Sequence, residues 1–326
     1  MNTPTKLGAY ALGLIAVFGA AAGVGNAVGP VGRAEASHAT EPHPDTGSSD
    51  AATDAAHGSA TDAAGGQDDH LPGGLVVSEG GYMLEVDRPD LPAGSATPVS
   101  FRILGPDGRP VTAYDESHDE DLHLIAVRRD LTGFQHVHPD LAPDGTWSSP
   151  LELTPGSWRL FADFDPAGDD PALTLGTDVA VAGNHDPQPL PEPSTTAEVD
   201  GYTVTLDGQL VPGQESQLTL SVSRDGQPVT DLQPYLAAYG HLVALRDGDL
   251  AYLHVHPAGE PGDGVTQPGP DVTFYATAPS AGDYRLFLDF QHGDVVRTAE
   301  FTVRAGESPD AFPVGTDHAD DGHGHG

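Results

Sequence analysis

The chain has no cysteine among its 326 residues, and its only methionines are Met1 and Met83. The missing thiols exclude disulfides, thiolate zinc sites, iron–sulfur clusters and blue-copper centres. The scarcity of methionine also argues against a methionine-rich Cu(I) site. Histidine, aspartate, glutamate and backbone oxygen remain as possible metal ligands.

Basic residues are also scarce: 13 Lys+Arg face 49 Asp+Glu, the formal charge is −36, and Lys6 is the only lysine. Nucleic acids and anionic membrane surfaces repel such a polyanion, so we expect no nucleic-acid partner. Metal cations and basic surfaces are attracted to it. Adaptation to salt or a GC-rich genome explains the same charge equally well.

One long apolar run is present, at residues 7–31, and it carries no charged residue. As a helix it would span about 37 Å, enough to cross a bilayer, so residues 1–36 are predicted to be a membrane anchor. The sequence Ala34-Glu35-Ala36 also suits a signal peptidase, which makes a cleaved signal peptide and a secreted protein the alternative. Either interpretation places the globular part outside the cytoplasm.

Small and polar residues dominate residues 37–74 and 306–326, which are therefore predicted to be disordered. Histidines in such segments can collect metal ions, and His323 and His325 are candidate ligands. The seven terminal histidines are His38, His43, His57, His70, His318, His323 and His325.

Between these segments the sequence repeats itself: GGYMLEVD at 80–87 matches DGYTVTLD at 200–207, and PGSWRLFADF matches AGDYRLFLDF. Short apolar or alternating runs such as YMLEV and YTVTL are broken by Gly, Pro and Asp. This pattern predicts an all-β protein with two tandem immunoglobulin-like β-sandwich domains after an N-terminal hydrophobic helix and a disordered spacer. The expected parts are repeat 1 (75–183), a proline-rich linker (184–197) and repeat 2 (198–305).

Each repeat contains a histidine triplet in which thirteen residues separate the first two histidines, and both triplets end in HVHP. Imidazole is the commonest protein ligand of borderline transition metals, so a duplicated triplet points to metal binding. The triplets are His123, His136 and His138 in repeat 1, and His241, His254 and His256 in repeat 2.

Strand geometry places His136 and His138 on one face, because side chains alternate along a strand. If Arg129 pairs with Phe134, His138 lies opposite Ile125, and the first histidine of the triplet lies diagonally beside it, within reach of one metal ion. The same register pairs His256 with Val243. The sequence thus predicts one three-histidine site per repeat.

Further candidate ligands lie near the triplets. His118 precedes the first triplet, and His292 follows the second. Asp163 and Asp289 occupy equivalent positions, where each could ligate a metal, orient a histidine or pair with an arginine. Histidines must lose their protons to bind a metal, so affinity is expected to fall below about pH 6.5.

The strings HLIAVRRDLTGFQHVHP and YLAAYGHLVALRDGDLAYLHVHP resemble exported bacterial proteins described as heavy-metal-associated, with modules similar to YtkA-like and copper-resistance (CopC-like) domains. The resemblance covers residues 75–305. It implies an extracytoplasmic β-sandwich with a role in copper or related metal homeostasis. CopC-like proteins usually place a ligand histidine at the mature N-terminus, and this chain offers no clear counterpart.

GFQHVHPD also resembles the copper-binding strand of Cu/Zn superoxide dismutase, a β-sandwich enzyme. The cysteine pair of that family is missing, and no histidine between His138 and His185 could build its zinc loop. A copper redox enzyme is therefore the least favoured of three interpretations.

The favoured interpretation is a non-enzymatic extracytoplasmic protein that binds copper or zinc for homeostasis or sequestration. The alternative is a structural or interaction module that docks to another envelope protein. In that case the histidines are structural, and Pro139 and Pro257 simply mark strand ends.

Overall fold

The computed structural model describes residues 71–253 and 255–306, and all regular structure in those ranges is β-strand. Both repeats belong to one compact unit, Gly66–Gly326. Across the described ranges there is no helix long and apolar enough to cross a membrane. The predicted anchor or signal peptide, most of the spacer and nearly all of the C-terminal tail lie outside the described residues.

The first repeat is a sandwich of two sheets, with strand orders β1-β2-β4-β9-β8 and β3-β11-β10-β6-β7; β5 pairs with β10. Its strands are β1 (Ser78–Glu79), β2 (Tyr82–Val86), β3 (Asp90–Leu91), β4 (Gly94–Leu104), β5 (Tyr114–Asp115), β6 (Leu122–Arg128), β7 (Gln135–Val137), β8 (Asp140–Leu141), β9 (Thr146–Leu153), β10 (Gly156–Pro166) and β11 (Leu173–Val181).

The second repeat is a sandwich of sheets β12-β13-β14-β18-β17 and β16-β19-β20, and β15 pairs with β14. Its strands are β12 (Thr196–Val199), β13 (Tyr202–Asp207), β14 (Glu215–Arg224), β15 (Gln227–Pro228), β16 (His241–Arg246), β17 (Val255–Pro257), β18 (Asp271–Thr277), β19 (Gly282–His292) and β20 (Val295–Ala305). The prediction of an all-β protein with two tandem immunoglobulin-like sandwiches is confirmed.

Strands that cover one core alternate between buried and exposed residues, as sandwich strands do. In β9, for example, Trp147, Ser149, Leu151 and Leu153 are buried, while Ser148, Pro150 and Glu152 between them are exposed. Each repeat has its own apolar core, one around Phe101 and one around Phe274.

The strands β6, β10, β16 and β19 depart from this alternation, because they are buried on both faces along most of their length. One face of each belongs to the core of its own repeat. The other faces meet in a third apolar cluster that contains residues of both repeats. Its fully buried members are Ile125, Val127, Leu131 and Phe161 of repeat 1 and Val243, Leu245, Leu250 and Phe287 of repeat 2. We call this cluster the inter-repeat core.

An aromatic stack crosses the inter-repeat core. The rings of Phe134, from the turn between β6 and β7, and Phe287, on β19, are 4.0 Å apart with an interplanar angle of 7°. Burial of large aromatic side chains is among the strongest contributions to a packed interface. The two sandwiches are therefore fixed against each other by ordinary core packing.

The segment before β1 also joins the repeats. Tyr252 N donates to Gly73 O at 2.9 Å, and Gly74 N donates to Thr174 O at 2.7 Å. Gly74 has φ of +71°, and an added Cβ would lie 2.3 Å from a ring carbon of Phe161, so glycine is required there. These contacts would be lost in a chain truncated at residue 75.

Replacing Phe287 with alanine should lower the free energy of unfolding by about 3–5 kcal/mol, because it leaves a cavity in the inter-repeat core. The exposed Val295→Ala control should change it by about 0.5 kcal/mol or less. Urea unfolding can be followed by fluorescence, which reports repeat 1 through Trp147 and Trp158, and by far-UV circular dichroism, which reports both repeats. A loss below about 1 kcal/mol would contradict a packed inter-repeat core.

Candidate metal centre

Each repeat places a histidine, an aspartate and a threonine side by side on three neighbouring strands. The aspartate pairs with the histidine on one side and the threonine on the other. These residues are His123, Asp163 and Thr174 in repeat 1 and His241, Asp289 and Thr298 in repeat 2. Side chains alternate along a strand, so His123 shares the face of Ile125, and His241 shares the face of Val243. The His-Asp-Thr set of each repeat therefore borders the inter-repeat core.

Three histidines of the first repeat converge at this border. His123 lies on β6, His136 on β7, and His138 directly after β7. One ring nitrogen from each lies within 4.8 Å of the others, and the rings are 5.0–5.2 Å apart between centroids. The structure therefore brings the first predicted triplet together.

Hydrogen bonds with oxygen acceptors fix where two of these imidazoles carry their protons. His123 Nε2 lies 2.9 Å from the carbonyl oxygen of Ser117, which can only accept, so Nε2 is the protonated nitrogen. His136 Nδ1 lies 2.9 Å from Asp289 Oδ2, and a carboxylate oxygen again accepts. The second nitrogens of the two rings are Nδ1 of His123 and Nε2 of His136.

Those two remaining nitrogens, His123 Nδ1 and His136 Nε2, are 3.0 Å apart. Two lone pairs at that distance repel each other unless a proton or a metal cation lies between them. Two imidazoles bound to one ion at about 2.0–2.1 Å would have their nitrogens roughly 3 Å apart. The pair is thus arranged as two ligands of one cation.

His123 does not itself carry a proton on Nδ1, so any proton between the two rings would belong to His136. Burial is the main cause that lowers the pKa of His123 to about 3, and the neighbouring histidines lower it further, against the effect of the Ser117 carbonyl. The side chain is therefore neutral at physiological pH, when its Nδ1 is an acceptor or a metal ligand.

His138 supplies a third nitrogen. Its Nε2 is buried and has no hydrogen-bond partner among the described residues. Its Nδ1 lies 3.8 Å from Glu120 Oε1. Burial lowers the pKa of His138 to about 4. Because an unsatisfied buried nitrogen is costly, it marks this side of the cluster as a place for a ligand.

His241 of the second repeat borders the same cluster. Its ring centroid lies 6.1 Å from that of His136 and 6.5 Å from that of His123. Its Nε2 is 2.8 Å from the carbonyl oxygen of Tyr235, and burial lowers its pKa to about 4. His241 thus lies beside the first triplet.

His118 lies at the edge of the cluster in an acidic loop. Its ring centroid is 5.2 Å from that of His241 and 6.0 Å from that of His123. Its Nδ1 lies 3.2 Å from Ser117 Oγ. In the same loop, partial burial and neighbouring carboxylates raise the pKa of Glu120. The loop therefore places negative charge next to the histidines, which favours a cation there.

The two equivalent aspartates have different partners. Asp289 accepts from His136 through Oδ2 and from Thr298 through Oδ1, at 2.9 and 2.5 Å. Asp163 accepts from Thr174 at 2.9 Å, and its burial raises its pKa. Asp289 thus orients a histidine of the other repeat, whereas Asp163 is held by a threonine of its own repeat.

The predicted register of the β6–β7 hairpin was wrong by two residues. Ile125 pairs with His136, not with His138. The turn is tighter than expected because Arg128 N donates to Thr132 O at 3.0 Å, and Asp130 accepts from the side chains of both residues. Since a shift of two keeps every side chain on its face, the histidines still share one face.

The second triplet is arranged differently from the first. His256 pairs with Tyr275 of β18, not with Val243, so that prediction was wrong. The chain follows β16 only as far as Leu253, whose N donates to Ala244 O at 2.9 Å, and then joins the other sheet. His254 lies outside the described residues, so a three-histidine site within repeat 2 stays a prediction.

The remaining predicted metal ligands are His292, which lies away from the cluster, and two histidines of the C-terminal tail. His292 has partners at both ring nitrogens, the Tyr202 hydroxyl at 2.6 Å and Asp231 Oδ1 at 3.1 Å. A metal ion would have to displace one of them. His323 and His325 lie outside the described residues, and their role as ligands stays a prediction.

Sequence reasoning missed that the two repeats share one cluster, and it missed the carbonyls of Ser117 and Tyr235. The carbonyls left no signal, because any residue type supplies one. The shared face did leave a signal: HLIAVRR and YRLFLDF are apolar on both faces, as strands covered on both sides are.

The chain is similar to several solved immunoglobulin-like structures, all with low sequence identity and low TM-scores. The Escherichia coli adhesin FdeC is 17% identical with a TM-score of 0.22, covering 73% of this chain and 66% of that one. Salmonella alpha-2-macroglobulin is 14% identical with a TM-score of 0.22, covering 73% and 15%. Invasin, a bacterial integrin-binding protein, is 12% identical with a TM-score of 0.20, covering 70% and 40%. The chain thus spans less than two thirds of each of these structures.

No curated protein matches the chain. One family model matches both repeats, at residues 76–181 and 197–307, and is described as a domain of unknown function, DUF8832. The expected YtkA-like and CopC-like identity stays a prediction. The chain belongs to the DUF8832 family and carries two tandem copies of its domain.

Proposed function

We propose that the two repeats form a non-catalytic binding module whose ligand is a borderline divalent metal ion, Cu(II) or Zn(II). His123, His136 and His138 are the proposed ligands. The module would act outside the cytoplasm, as the N-terminal sequence suggests, in metal homeostasis or sequestration. His323 and His325 of the acidic tail would collect ions at lower affinity.

The observation that supports this proposal most strongly is the 3.0 Å approach of His123 Nδ1 to His136 Nε2. Ser117 O and Asp289 Oδ2 accept from the opposite nitrogens of the two rings, which leaves His123 Nδ1 and, in a neutral His136, Nε2 facing each other as acceptors. A carboxylate that orients a ligand histidine is typical of metal centres. A purely structural pair would instead require a proton on His136 Nε2 that is donated to His123 Nδ1.

The donor set limits the choice of ion. Imidazole nitrogen suits Zn(II), Cu(II), Fe(II) and Ni(II), and thiolates are unavailable in this chain. Affinities of such sites follow the order in which Cu(II) binds more tightly than Zn(II). We therefore expect Cu(II) to bind more tightly, while availability decides which ion is carried.

An interaction module is the second candidate, favoured by a different observation. The inter-repeat core and the His136–Asp289 contact hold the two sandwiches together through residues of the chain itself. The histidines would then be part of a rigid support that presents a surface to another envelope protein. This candidate requires no metal ion.

Titration of the full chain with Cu(II) and Zn(II) tests the metal proposal. The seven terminal histidines are replaced by alanine so that they do not contribute. This background should bind close to one ion, and the triple variant His123→Ala, His136→Ala, His138→Ala should lose at least 100-fold in affinity, as expected when metal ligands are removed. The control is His185→Ala, an exposed histidine of the linker between the repeats. Equal affinity in the triple variant would leave the interaction module as the better account.

The pH dependence of affinity should be weaker than the sequence alone suggests. Three imidazoles with ordinary pKa values near 6.5 would together lose about 1000-fold in affinity between pH 7.5 and 5.5. Burial holds the pKa of His123 at about 3 and that of His138 at about 4, so neither competes with a proton in this range. Zn(II) affinity of the same background should therefore fall about tenfold or less. A 1000-fold loss would contradict binding by this buried cluster.

Metal-free stability should decrease as the pH falls from 7.0 to 5.5. The pKa values of His123, His138 and His241 are about 3, 4 and 4 in the folded state and near 6.5 when unfolded. The unfolded chain therefore binds more protons in this range, and each histidine removes about 1 kcal/mol of stability. Urea unfolding with a chelator should show a smaller decrease for His138→Gln than for the unchanged protein. A stability independent of pH would contradict the buried, neutral state of these histidines.

A further inference from the structure

We infer that the metal ion is shared between the two repeats: His241 of repeat 2 supplies a fourth imidazole to the triplet of repeat 1. The bound ion would then fasten the two sandwiches together at the histidine border of the inter-repeat core. This inference rests on the proposed metal-binding function and extends it to a specific fourth ligand. It assigns the ion a role in joining two domains.

Distances place His241 within reach of such an ion. Two imidazoles that bind one ion at about 2.0–2.1 Å have ring centroids roughly 5–6.5 Å apart, depending on the angle at the metal. The centroids within the triplet are 5.0–5.2 Å apart. His241 is 6.1 Å from His136 and 6.5 Å from His123, at the outer end of that range. A tetrahedral ion requires centroids about 5 Å apart, so His241 must move toward the triplet when it binds the ion.

The backbone presents His241 in the same way as His123. In both, Nε2 is held by the carbonyl oxygen six residues earlier, Tyr235 at 2.8 Å and Ser117 at 2.9 Å. Each carbonyl precedes a turn whose next two residues have positive φ, although the turn sequences differ. Both histidines are thereby fixed with Nδ1 as the unprotonated nitrogen, the atom that a metal ion needs.

A second contact already joins the repeats at this cluster. His136, a ligand from repeat 1, is oriented by Asp289, a residue of repeat 2. The ligand set and its orienting carboxylate are therefore complete only when the sandwiches are packed together. Metal binding and inter-repeat packing must stabilise each other, because any ion that prefers the packed state shifts the equilibrium toward it.

Cobalt(II) provides a direct test, because its visible absorption reports the number and type of its ligands. The protein is the full chain with the seven terminal histidines replaced by alanine, alone or with His241→Gln, and His185→Ala is the matched control. We expect His241→Gln to weaken Co(II) affinity 10- to 100-fold and to change the spectrum. Free imidazole at millimolar concentration should restore the spectrum of the variant, and the control should match the background protein.

Two results would overturn the inference in different ways. If the background protein binds Co(II) and His241→Gln binds it with unchanged affinity and spectrum, His241 is not a ligand, while the proposed metal function stands. If the background protein does not bind Co(II) or Zn(II), the metal function fails and the inference fails with it. Circular dichroism of His241→Gln shows whether the variant is folded, and the imidazole rescue separates a lost ligand from a lost fold.

Discussion

Apolar packing between the two sandwiches brings His123 and His241 to the same border. Strands β6, β10, β16 and β19 bury Ile125, Phe161, Val243 and Phe287 between the repeats. Two residues along each strand, on the face that meets the other repeat, lie His123, Asp163, His241 and Asp289. Packing the apolar residues therefore brings these polar residues together. The pleat of two packed sheets supplies the alignment of His123, Asp163, His241 and Asp289.

Burial at that border then governs the chemistry. It keeps the pKa of His123 and His241 low. Two carbonyls and Asp289 fix the protons on the outward nitrogens. Nδ1 of His123 and Nε2 of His136 then face each other at 3.0 Å, where one divalent cation could bind both. Electrostatics and packing thus both favour a bound divalent cation at this position.

Much of the fold followed from the sequence, because two-residue periodicity and the internal repeat are local signals. The shared face of His136 and His138 was also predictable, because residues two apart on a strand point to the same side. A register error of two residues does not change that side. The pairing of β6 with β7 was not predictable to the residue, because Asp130 tightens the turn. Contact between the repeats depends on long-range packing, for which the doubly apolar strands were the only signal. The departure of His256 to the other sheet left no signal.

One metal ion is expected to lie between the repeats, held by imidazoles from both. Anomalous diffraction from crystals of the full chain grown with Zn(II), measured on both sides of the zinc absorption edge, tests it most directly. The account predicts one strong peak about 2.0–2.1 Å from nitrogens of His123, His136 and His138, with His241 completing the site. Zinc peaks that lie only on other histidines, with none in this cluster, would contradict it.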